Sequence, residues 1–422
     1  MSVAASATSA AGLRTDTRSF APGPFGVALT IAVGVWLLNT AFGWRMAALF
    51  GVGAVAGVVL YHAAFGFTSA WRVFIADGRG EGLRAQMLML AITCAAFFPL
   101  LAAGEAFGTR LNGSVQPAGV PVIVGAFIFG IGMQLGGGCA SGTLFTVGGG
   151  NTRMAITLLF FVIGSLVGTA HAPFWGTLPT LPATSLVRLY GPVGAMAMSL
   201  VAFGAIFVLT VVVERRKFGK LMDSRAAARP HQWLRGPWPV VFGAVGLAAV
   251  NLATLLIAGR PWGITSAFAL WGAKAAAAVG VPVETWPYWS SPGQVAALNA
   301  SVFTDVTSVM DFGIVLGALL AALLAGRFAP VWSIPARSLA AAVIGGVLLG
   351  YGARVAYGCN IGAYFSGIAS GSLHGWLWLP SAFVGNILGT YLRPAFGLSV
   401  EKTMLVTGGR PAMMERTINP SV

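Results

Sequence analysis

The chain has 422 residues, of which 57% are hydrophobic and 9% are charged, and its mean hydropathy is +0.82. A soluble domain carries about 25% charged residues, so the composition excludes a water-soluble protein. The net charge of +14 could indicate nucleic-acid binding, but Lys and Arg also collect on the cytoplasmic loops of membrane proteins. We therefore expect the protein to contact membrane lipid and not to bind nucleic acid.

Apolar stretches long enough to cross the roughly 30 Å hydrocarbon core recur along the chain. They predict an all-α, polytopic transmembrane helical bundle of about ten spans. The predicted spans are 25–43, 45–64, 84–104, 119–137, 154–174, 191–213, 237–258, 308–326, 338–356 and 374–392.

Basic residues predict the orientation of these spans. The segment 214–235 follows the sixth span and is rich in Arg and Lys, and alternate loops along the chain, including the one with Arg153, share this excess. By the positive-inside rule, both termini face the cytoplasm. The predicted location is the bacterial inner membrane, with the first helix retained rather than cleaved as a signal peptide.

The two halves of the chain carry the same Gly-Cys-x-x-Gly motif. The sequence VGAFIFGIGMQLGGGCASG at 124–142 aligns without a gap with IGGVLLGYGARVAYGCNIG at 344–362. The alignment matches Cys139 with Cys359, and five pairs of glycines match as well. Glycine matches alone would be weak, but a matched cysteine at a matched helix end indicates a true repeat.

A second pair of segments supports the repeat. Residues 66–71 read GFTSAW and residues 263–268 read GITSAF, and each copy precedes its own Gly-Cys motif. We call these two copies the first and second TSA segments. An odd number of predicted crossings separates the copies, so the repeat is inverted. The predicted divisions are an N-terminal tail (1–24), an added helix (25–44), the first repeat (45–190), a connector with a basic loop (191–236), the second repeat (237–395) and a C-terminal tail (396–422).

Short Gly-rich stretches follow each Gly-Cys motif, at 140–150 and 360–371. They are too short to cross a bilayer, and irregular backbone at membrane depth requires protein or water around it. We predict two re-entrant helices that line a central path from opposite sides. Their first N–H groups would form an anion site, and neutral hydroxyls would add donors. The candidate site residues of the two motif pairs are Gly66, Thr68, Ser69, Gly138, Cys139, Ser141, Gly142, Thr143, Thr265, Ser266, Gly358, Cys359, Asn360 and Gly362.

Two further residues have open interpretations. Cys94 lies in mid-span without a counterpart in the second half, so core packing competes with a role in binding. Arg354 lies five residues before Cys359 in an apolar span, where a charge suggests function but could also reach an interface.

The chain has no Walker A sequence, metal-ligand spacing or catalytic-triad pattern, so we expect no cofactor, no metal and no enzymatic activity. A membrane thiol-redox protein and a structural subunit are the competing hypotheses.

These motifs resemble the YeeE/YedE family of bacterial sulfur-transport proteins, through GGCASGT at 137–143, GCNIG at 358–362 and GITS at 263–266. The resemblance runs through about residues 45–395. It implies a permease, with thiosulfate as the first choice of substrate, in which Cys139 and Cys359 pass the substrate along by S–H···S hydrogen bonds.

The chain departs from the family pattern at one position. Gly66 stands where the family commonly has its first cysteine, so a relay of three thiols requires Cys94 to substitute. Sulfite, sulfide or another sulfur anion therefore stays open as the substrate. A fused sulfur-carrier domain with a Cys-Pro motif is also missing from this sequence, so any such partner would be a separate cytoplasmic protein.

Overall fold

The structure is a computed structural model, and it describes residues 22–222 and 233–401. α-Helices make up most of this part of the chain. They are α1 (Pro22–Phe42), α2 (Trp44–His62), α3 (Phe67–Asp77), α4 (Glu81–Ala103), α5 (Val120–Gly136), α6 (Ala140–Gly148), α7 (Thr152–Ala170), α8 (Ala172–Gly176), α9 (Leu186–Phe218), α10 (Val240–Ala258), α11 (Thr265–Ala278), α12 (Pro292–Asn299), α13 (Val306–Leu324), α14 (Ala336–Val355), α15 (Ser366–Ala369) and α16 (Leu373–Leu392).

Shorter elements connect these helices. A π-helix, Asn360–Phe365, leads directly into α15, and the 3₁₀ turns are Val283–Thr285, Val302–Thr304 and Arg393–Phe396. Four two-residue strands form two antiparallel pairs: β1 (Glu105–Ala106) with β2 (Thr109–Arg110), and β3 (Ala118–Gly119) with β4 (Thr180–Leu181). The predicted all-α class is confirmed.

Within the described ranges, nine helical segments are long and apolar enough to cross a membrane. They match nine of the ten predicted spans. Three of them join a long helix to the short helix that follows, at Trp44–Asp77, Val120–Gly148 and Ala336–Ala369. The tenth predicted span, 374–392, corresponds to α16, which has 20 residues but is not among these nine segments. It carries polar residues such as His374 and Asn386, both of which are fully buried.

Helix packing in the second half repeats that in the first. Helix α5 packs on α16 as α14 packs on α7, and α2 packs on α13 as α10 packs on α4. Helices α5 and α14 also pack on each other, as do α2 and α10. This exchange of partners is what an inverted repeat produces. The boundaries of the predicted divisions, 45–190 and 237–395, remain a prediction.

The glycines of the repeated motif lie where α5 and α14 touch. A Cβ atom on Gly132 would stand 2.7 Å from the backbone nitrogen of Leu349, and one on Gly352 would stand 2.7 Å from that of Phe129. A Cβ on Gly345 would strike the backbone of Gly136. Glycine therefore permits the close backbone approach typical of membrane helices, and this contact holds the ends of both helices at the centre of the bundle.

The connector helix differs from its prediction in length. The predicted span 191–213 and the start of the basic loop form one helix, α9, which breaks at Gly191 (φ 70°) before Pro192 and continues to Phe218. Glu214, expected at the start of the loop, is instead fully buried. Its carboxylate accepts hydrogen bonds from Arg84 Nη1 at 2.7 Å and from the Gly80 N–H at 3.1 Å. Residues 223–232 of the predicted loop lie outside the described residues, as do the tail residues 1–21 and 402–422.

Candidate functional site

Both Gly-Cys motifs form the turn between a long helix and a short re-entrant one. Helix α5 ends at Gly136, and Gly137 (φ 96°) reverses the chain so that Cys139 becomes the N-cap residue of α6. Helix α14 ends at Val355, and Cys359 caps the π-helix in the same way. A left-handed residue after a helix is usually glycine, which explains Gly137, the residue just before the Gly-Cys-x-x-Gly motif. The predicted re-entrant segments 140–150 and 360–371 thus correspond to α6 and to the π-helix with α15.

The first thiol, Cys139, is almost completely buried (1% exposed). Its sulfur lies 3.3 Å from the Ser141 hydroxyl oxygen, and either atom can donate. The N–H groups of Ser141 and Gly142 also face the sulfur. The Thr143 hydroxyl is turned back to the Cys139 carbonyl, to which it donates at 2.8 Å. The thiol therefore lies among N–H and O–H donors at a helix start, an arrangement suited to a bound anion.

The second thiol, Cys359, is fully buried. Its sulfur accepts a hydrogen bond from the Ile361 N–H at 3.4 Å, and the Gly362 N–H also faces it. Cys139 lies within electrostatic range of Cys359. The structure therefore brings together two half-sites, each with a thiol that faces the N–H groups two and three residues further on. We call them the Cys139 half-site (residues 138–143) and the Cys359 half-site (residues 358–363).

Several buried polar atoms around the Cys359 half-site have no hydrogen-bond partner within the described ranges. They are both side-chain polar atoms of Asn360, both carboxyl oxygens of Asp311 and the Tyr364 hydroxyl. Buried polar groups are normally paired, and leaving one unpaired costs free energy. Such a group is therefore available to a ligand. Asp311, in α13, lies within electrostatic range of Cys359. At least one of the unpaired groups is therefore close enough to influence the thiol.

The first TSA segment packs directly on this region. Phe67 and Tyr364 meet edge to face, with ring centroids 6.1 Å apart, and the buried Thr68 hydroxyl is unpaired in the described chain. The Ser69 hydroxyl donates to the Gly66 carbonyl at 3.2 Å. Gly66 and Ser69 line a cavity of about 470 Å³. A Cβ atom on Gly66 would collide with the Ser69 hydroxyl oxygen, so that hydroxyl occupies the place a side chain at residue 66 would need.

The second TSA segment lies beside α13. Thr265 begins α11 and is buried, and Ser266 donates to the Thr307 hydroxyl at 3.0 Å. A residue of the second re-entrant element fixes the turn before α11, because the Ser366 hydroxyl of α15 donates to the Trp262 carbonyl at 2.7 Å. Both predicted TSA segments are therefore in contact with elements of the site, although the hydroxyl of Ser266 is already paired.

Cys94 and Arg354 lie in different surroundings. Cys94 is fully buried, and its thiol faces the Ile368 carbonyl of α15 at 3.9 Å. It thus contacts the far end of the second re-entrant element. Arg354 donates to the Tyr288 hydroxyl at 3.0 Å and lies over the Tyr288 ring, 5.5 Å from its centre. Within the described ranges, neither residue is hydrogen-bonded to Cys139 or Cys359. The two half-sites are therefore the groups that the structure brings together.

Sequence reasoning missed two buried charged residues. Arg153, assigned to the cytoplasmic side, folds inward and donates to the carbonyls of Leu135 (2.6 Å) and Gly136 (2.9 Å) at the end of α5. Arg153 thereby provides hydrogen-bond donors for carbonyls that the end of a helix leaves without intrahelical partners, next to the Cys139 half-site. Asp311 was overlooked inside an apolar span, although an acidic residue at that depth is itself a signal of function.

The fold and the site define a class: a polytopic helical membrane protein with two inward-folded cysteine half-sites. Comparison with known proteins narrows this class. The model of the family described as Sulphur transport matches residues 62–388. The chain belongs to this family, and the nine apolar helical segments of its described ranges are those of a multi-pass membrane protein.

Individual relatives agree with the family. The chain is 26% identical to the Thiosulfate transporter TsuA of Spirochaeta thermophila, over 79% of this chain and 95% of that protein. It is also 26% identical to the Thiosulfate transporter TsuA of Escherichia coli K12, over 79% of this chain and 90% of that protein. The Probable transporter YedE of Escherichia coli K12 is 30% identical over 40% of this chain. That match spans 42% of the length of YedE.

Proposed function

We propose that this protein is a permease that moves a small sulfur-containing anion, with thiosulfate first, across the bacterial inner membrane. The observation that carries the proposal is the pair of buried thiols, each facing the N–H groups of a re-entrant turn. Charge-assisted hydrogen bonds from such donors bind an anion strongly. The thiols add weak S–H donors, which suit the large terminal sulfur of thiosulfate better than a small oxygen.

The donors of the two half-sites are neutral, and this favours transport over permanent binding. A permeant ion must bind well enough to enter and weakly enough to leave. The nearby cations are already engaged: Arg153 with helix-end carbonyls and Arg354 with Tyr288. The anion would therefore be held by N–H, O–H and S–H groups that its departure leaves uncharged. The similarity to two thiosulfate transporters supports the substrate class.

Substrate uptake tests the proposal. Cells without other routes for thiosulfate should take up the labelled anion through the wild-type protein, and Cys139→Ala or Cys359→Ala should reduce the uptake at equal expression. Unchanged uptake in both variants would rule out the thiol path. Sulfite, sulfide and sulfate as competitors identify the preferred anion. Both cysteines are free thiols here. If the wild-type protein loses uptake and dithiothreitol restores it, the result would instead support the alternative of a reversible disulfide.

Cys94→Ala decides the role of the third thiol. Because its sulfur faces the Ile368 carbonyl rather than the half-sites, near-normal uptake would assign Cys94 to packing. A loss equal to that of Cys139→Ala would instead place it on the path. Reporter fusions at both ends test the predicted cytoplasmic termini, and co-purification from cells tests a separate sulfur-carrier partner.

A further inference from the structure

Asp311 is the buried residue that the proposed transport path does not yet use. It is fully buried in α13, five residues after that helix begins at Val306. At 1.5 Å per residue, it lies roughly 8 Å from the helix start. Neither carboxyl oxygen has a hydrogen-bond partner among residues 22–222 and 233–401. Cys359 lies within electrostatic range of it.

An ionised carboxylate would be costly at this position. Burying a charge without a partner carries a large desolvation cost, and such groups normally neutralise instead. A neutral carboxylic acid has one O–H donor. With no acceptor among the described residues, that hydrogen is available to an anion at the Cys359 half-site, which lies within electrostatic range. The unpaired carboxyl oxygens of Asp311 are therefore those expected of a protonated acid that can donate to an incoming acceptor.

A metal cation fits this position less well than a proton. Hard cations take about six or more oxygen ligands in short contacts. The polar atoms nearest to Asp311 along its own helix are engaged elsewhere: Ser308 donates to Asp305 at 2.7 Å, and Thr307 accepts from Ser266 at 3.0 Å. A proton needs one oxygen, and Asp311 has two free.

Other titratable groups on the elements around α13 lie mostly at helix ends. Asp305 pairs with Arg260 at 3.9 Å, Lys274 donates to the Leu298 and Ala300 carbonyls, and Arg45 donates to Thr109. Helices α1 and α6 contain no titratable side chain. The groups on the packed elements are therefore Arg45, Tyr61, His62, Cys139, Arg260, Lys274, Asp305 and Cys359. Within the described chain no cation pairs with Asp311, so its charge can be balanced there by a proton.

We propose that Asp311 is a proton-binding site that couples the anion to a proton, so that the transporter is a proton–anion symporter. This inference rests on the proposed function. A negative charge on Asp311 would repel an anion held at the Cys359 half-site, so anion binding requires the protonated acid. By linkage, the anion raises the proton affinity of Asp311 by the same factor. When the anion leaves, the acid can release its proton to water on the receiving side.

Purified protein in sealed vesicles tests this coupling in sodium-free buffer. Labelled thiosulfate exchange at equal pH on both sides reports the proposed function alone. A pH difference of one unit, alkaline inside and with the membrane potential clamped, should support up to about tenfold accumulation per coupled proton. An internal pH dye should record acidification with the anion, and a protonophore should abolish both signals.

The decisive variant is Asp311→Asn, which keeps the shape of the side chain but cannot titrate. It should lose gradient-driven accumulation and dye acidification but retain measurable thiosulfate exchange at equal pH, because the asparagine N–H can donate where the protonated acid does. Retained exchange also shows that the variant is folded. Asp311→Glu should retain accumulation. Asp305→Asn is the matched control, because it removes a carboxylate of the same helix while asparagine still serves as an N-cap, and it should behave as wild type.

Each result discriminates. Wild-type exchange without pH-driven accumulation would overturn the proton site and leave the proposed function intact, as would full accumulation by Asp311→Asn. Accumulation that requires sodium would replace the proton by a metal cation and overturn the proposal. Failure of wild type to exchange thiosulfate, sulfite or sulfide would overturn both proposals together.

Discussion

The two half-sites share a backbone plan but differ in how far the protein satisfies its own polar groups. In the Cys139 half-site, a regular α-helix follows the cysteine, and the thiol lies 3.3 Å from the Ser141 hydroxyl. In the Cys359 half-site, a π-helix follows, and Asn360 and nearby Asp311 keep unpaired polar atoms in the described chain. π-Turns often mark functional sites. The difference indicates that the first half-site is largely complete by itself, while the second depends on its ligand.

The largest expected effect comes from the thiols themselves. Cys359→Ala should lower thiosulfate uptake by about 100-fold, and Cys139→Ala by about tenfold. When Cys139 is replaced, the Ser141 hydroxyl remains as a donor in that half-site. The sulfur of Cys359, in contrast, has only backbone N–H groups beside it among the contacts described. Initial uptake rates at equal membrane expression measure the ratio.

Equal losses in the two variants would contradict the asymmetry, although they would leave the thiol path in place. The double variant Cys139→Ala/Ser141→Ala is the matched control. It removes both side-chain donors of the first half-site, and its loss should approach that of Cys359→Ala.

Asn360 should have the next largest effect. Its two side-chain polar atoms are buried and unpaired in the described residues, so Asn360→Ala removes ligand contacts without breaking protein ones. We expect an about tenfold higher KM for uptake, as for one hydrogen bond to a charged group, with thermal stability retained. Ser141→Ala provides the comparison, and a KM change larger than that of Asn360→Ala would reverse the roles of the half-sites.

Much of this architecture could be predicted from the sequence, because hydropathy and motif spacing are local signals. The span predicted at 119–137 is α5 (Val120–Gly136), and the predicted re-entrant segment 140–150 contains α6 (Ala140–Gly148). The glycine matches correspond to the α5–α14 contact. The inward turn of Arg153 and the pairing of Glu214 with Arg84 depend on tertiary packing. Periodicity carries no signal for them, so both were placed in loops.

The site divides in the same way. The sequence motifs identified both thiols and the turns that follow them, since the repeat marks these positions. The sequence could not show that Cys94 faces Ile368 or that Arg354 faces Tyr288, because each contact joins distant segments. It also did not mark Asp311, which lies in the helix that follows α11 and α12 and has no counterpart in the repeated motif.

The turns before the two cysteines differ in a way that affects stability. Gly137 has φ 96°, while Tyr357, at the aligned position, has φ 59°. Gly137→Ala places a Cβ 2.8 Å from Arg153 Nη1 in a backbone conformation that costs L residues about 1–2 kcal/mol. We expect a loss of about 1 kcal/mol or more in the free energy of unfolding, visible as a lower thermal midpoint in detergent.

Gly362→Ala is the matched control for this turn. A Cβ on Gly362 meets nothing within 4 Å in the described structure, and this residue is not among the glycines with positive φ. Its thermal midpoint should stay close to that of wild type. A Gly137→Ala protein as stable as Gly362→Ala would show that the turn can relax, and that Arg153 does not fix it.

The smallest effect concerns the cavity beside the start of α3. Gly66 lines the 470 Å³ cavity, and the Ser69 hydroxyl occupies the place that a Cβ at residue 66 would need. Gly66→Cys alone should therefore lower uptake, because the new side chain displaces Ser69. Gly66→Cys with Ser69→Ala removes that collision and adds a thiol on the cavity wall. We expect uptake two- to threefold above Gly66→Cys alone, an effect of about 0.5 kcal/mol.

Ser69→Ala alone controls for the lost hydroxyl. If the double variant is no better than Gly66→Cys, the hydroxyl of Ser69 does more than fill space, and the cavity depends on it for binding.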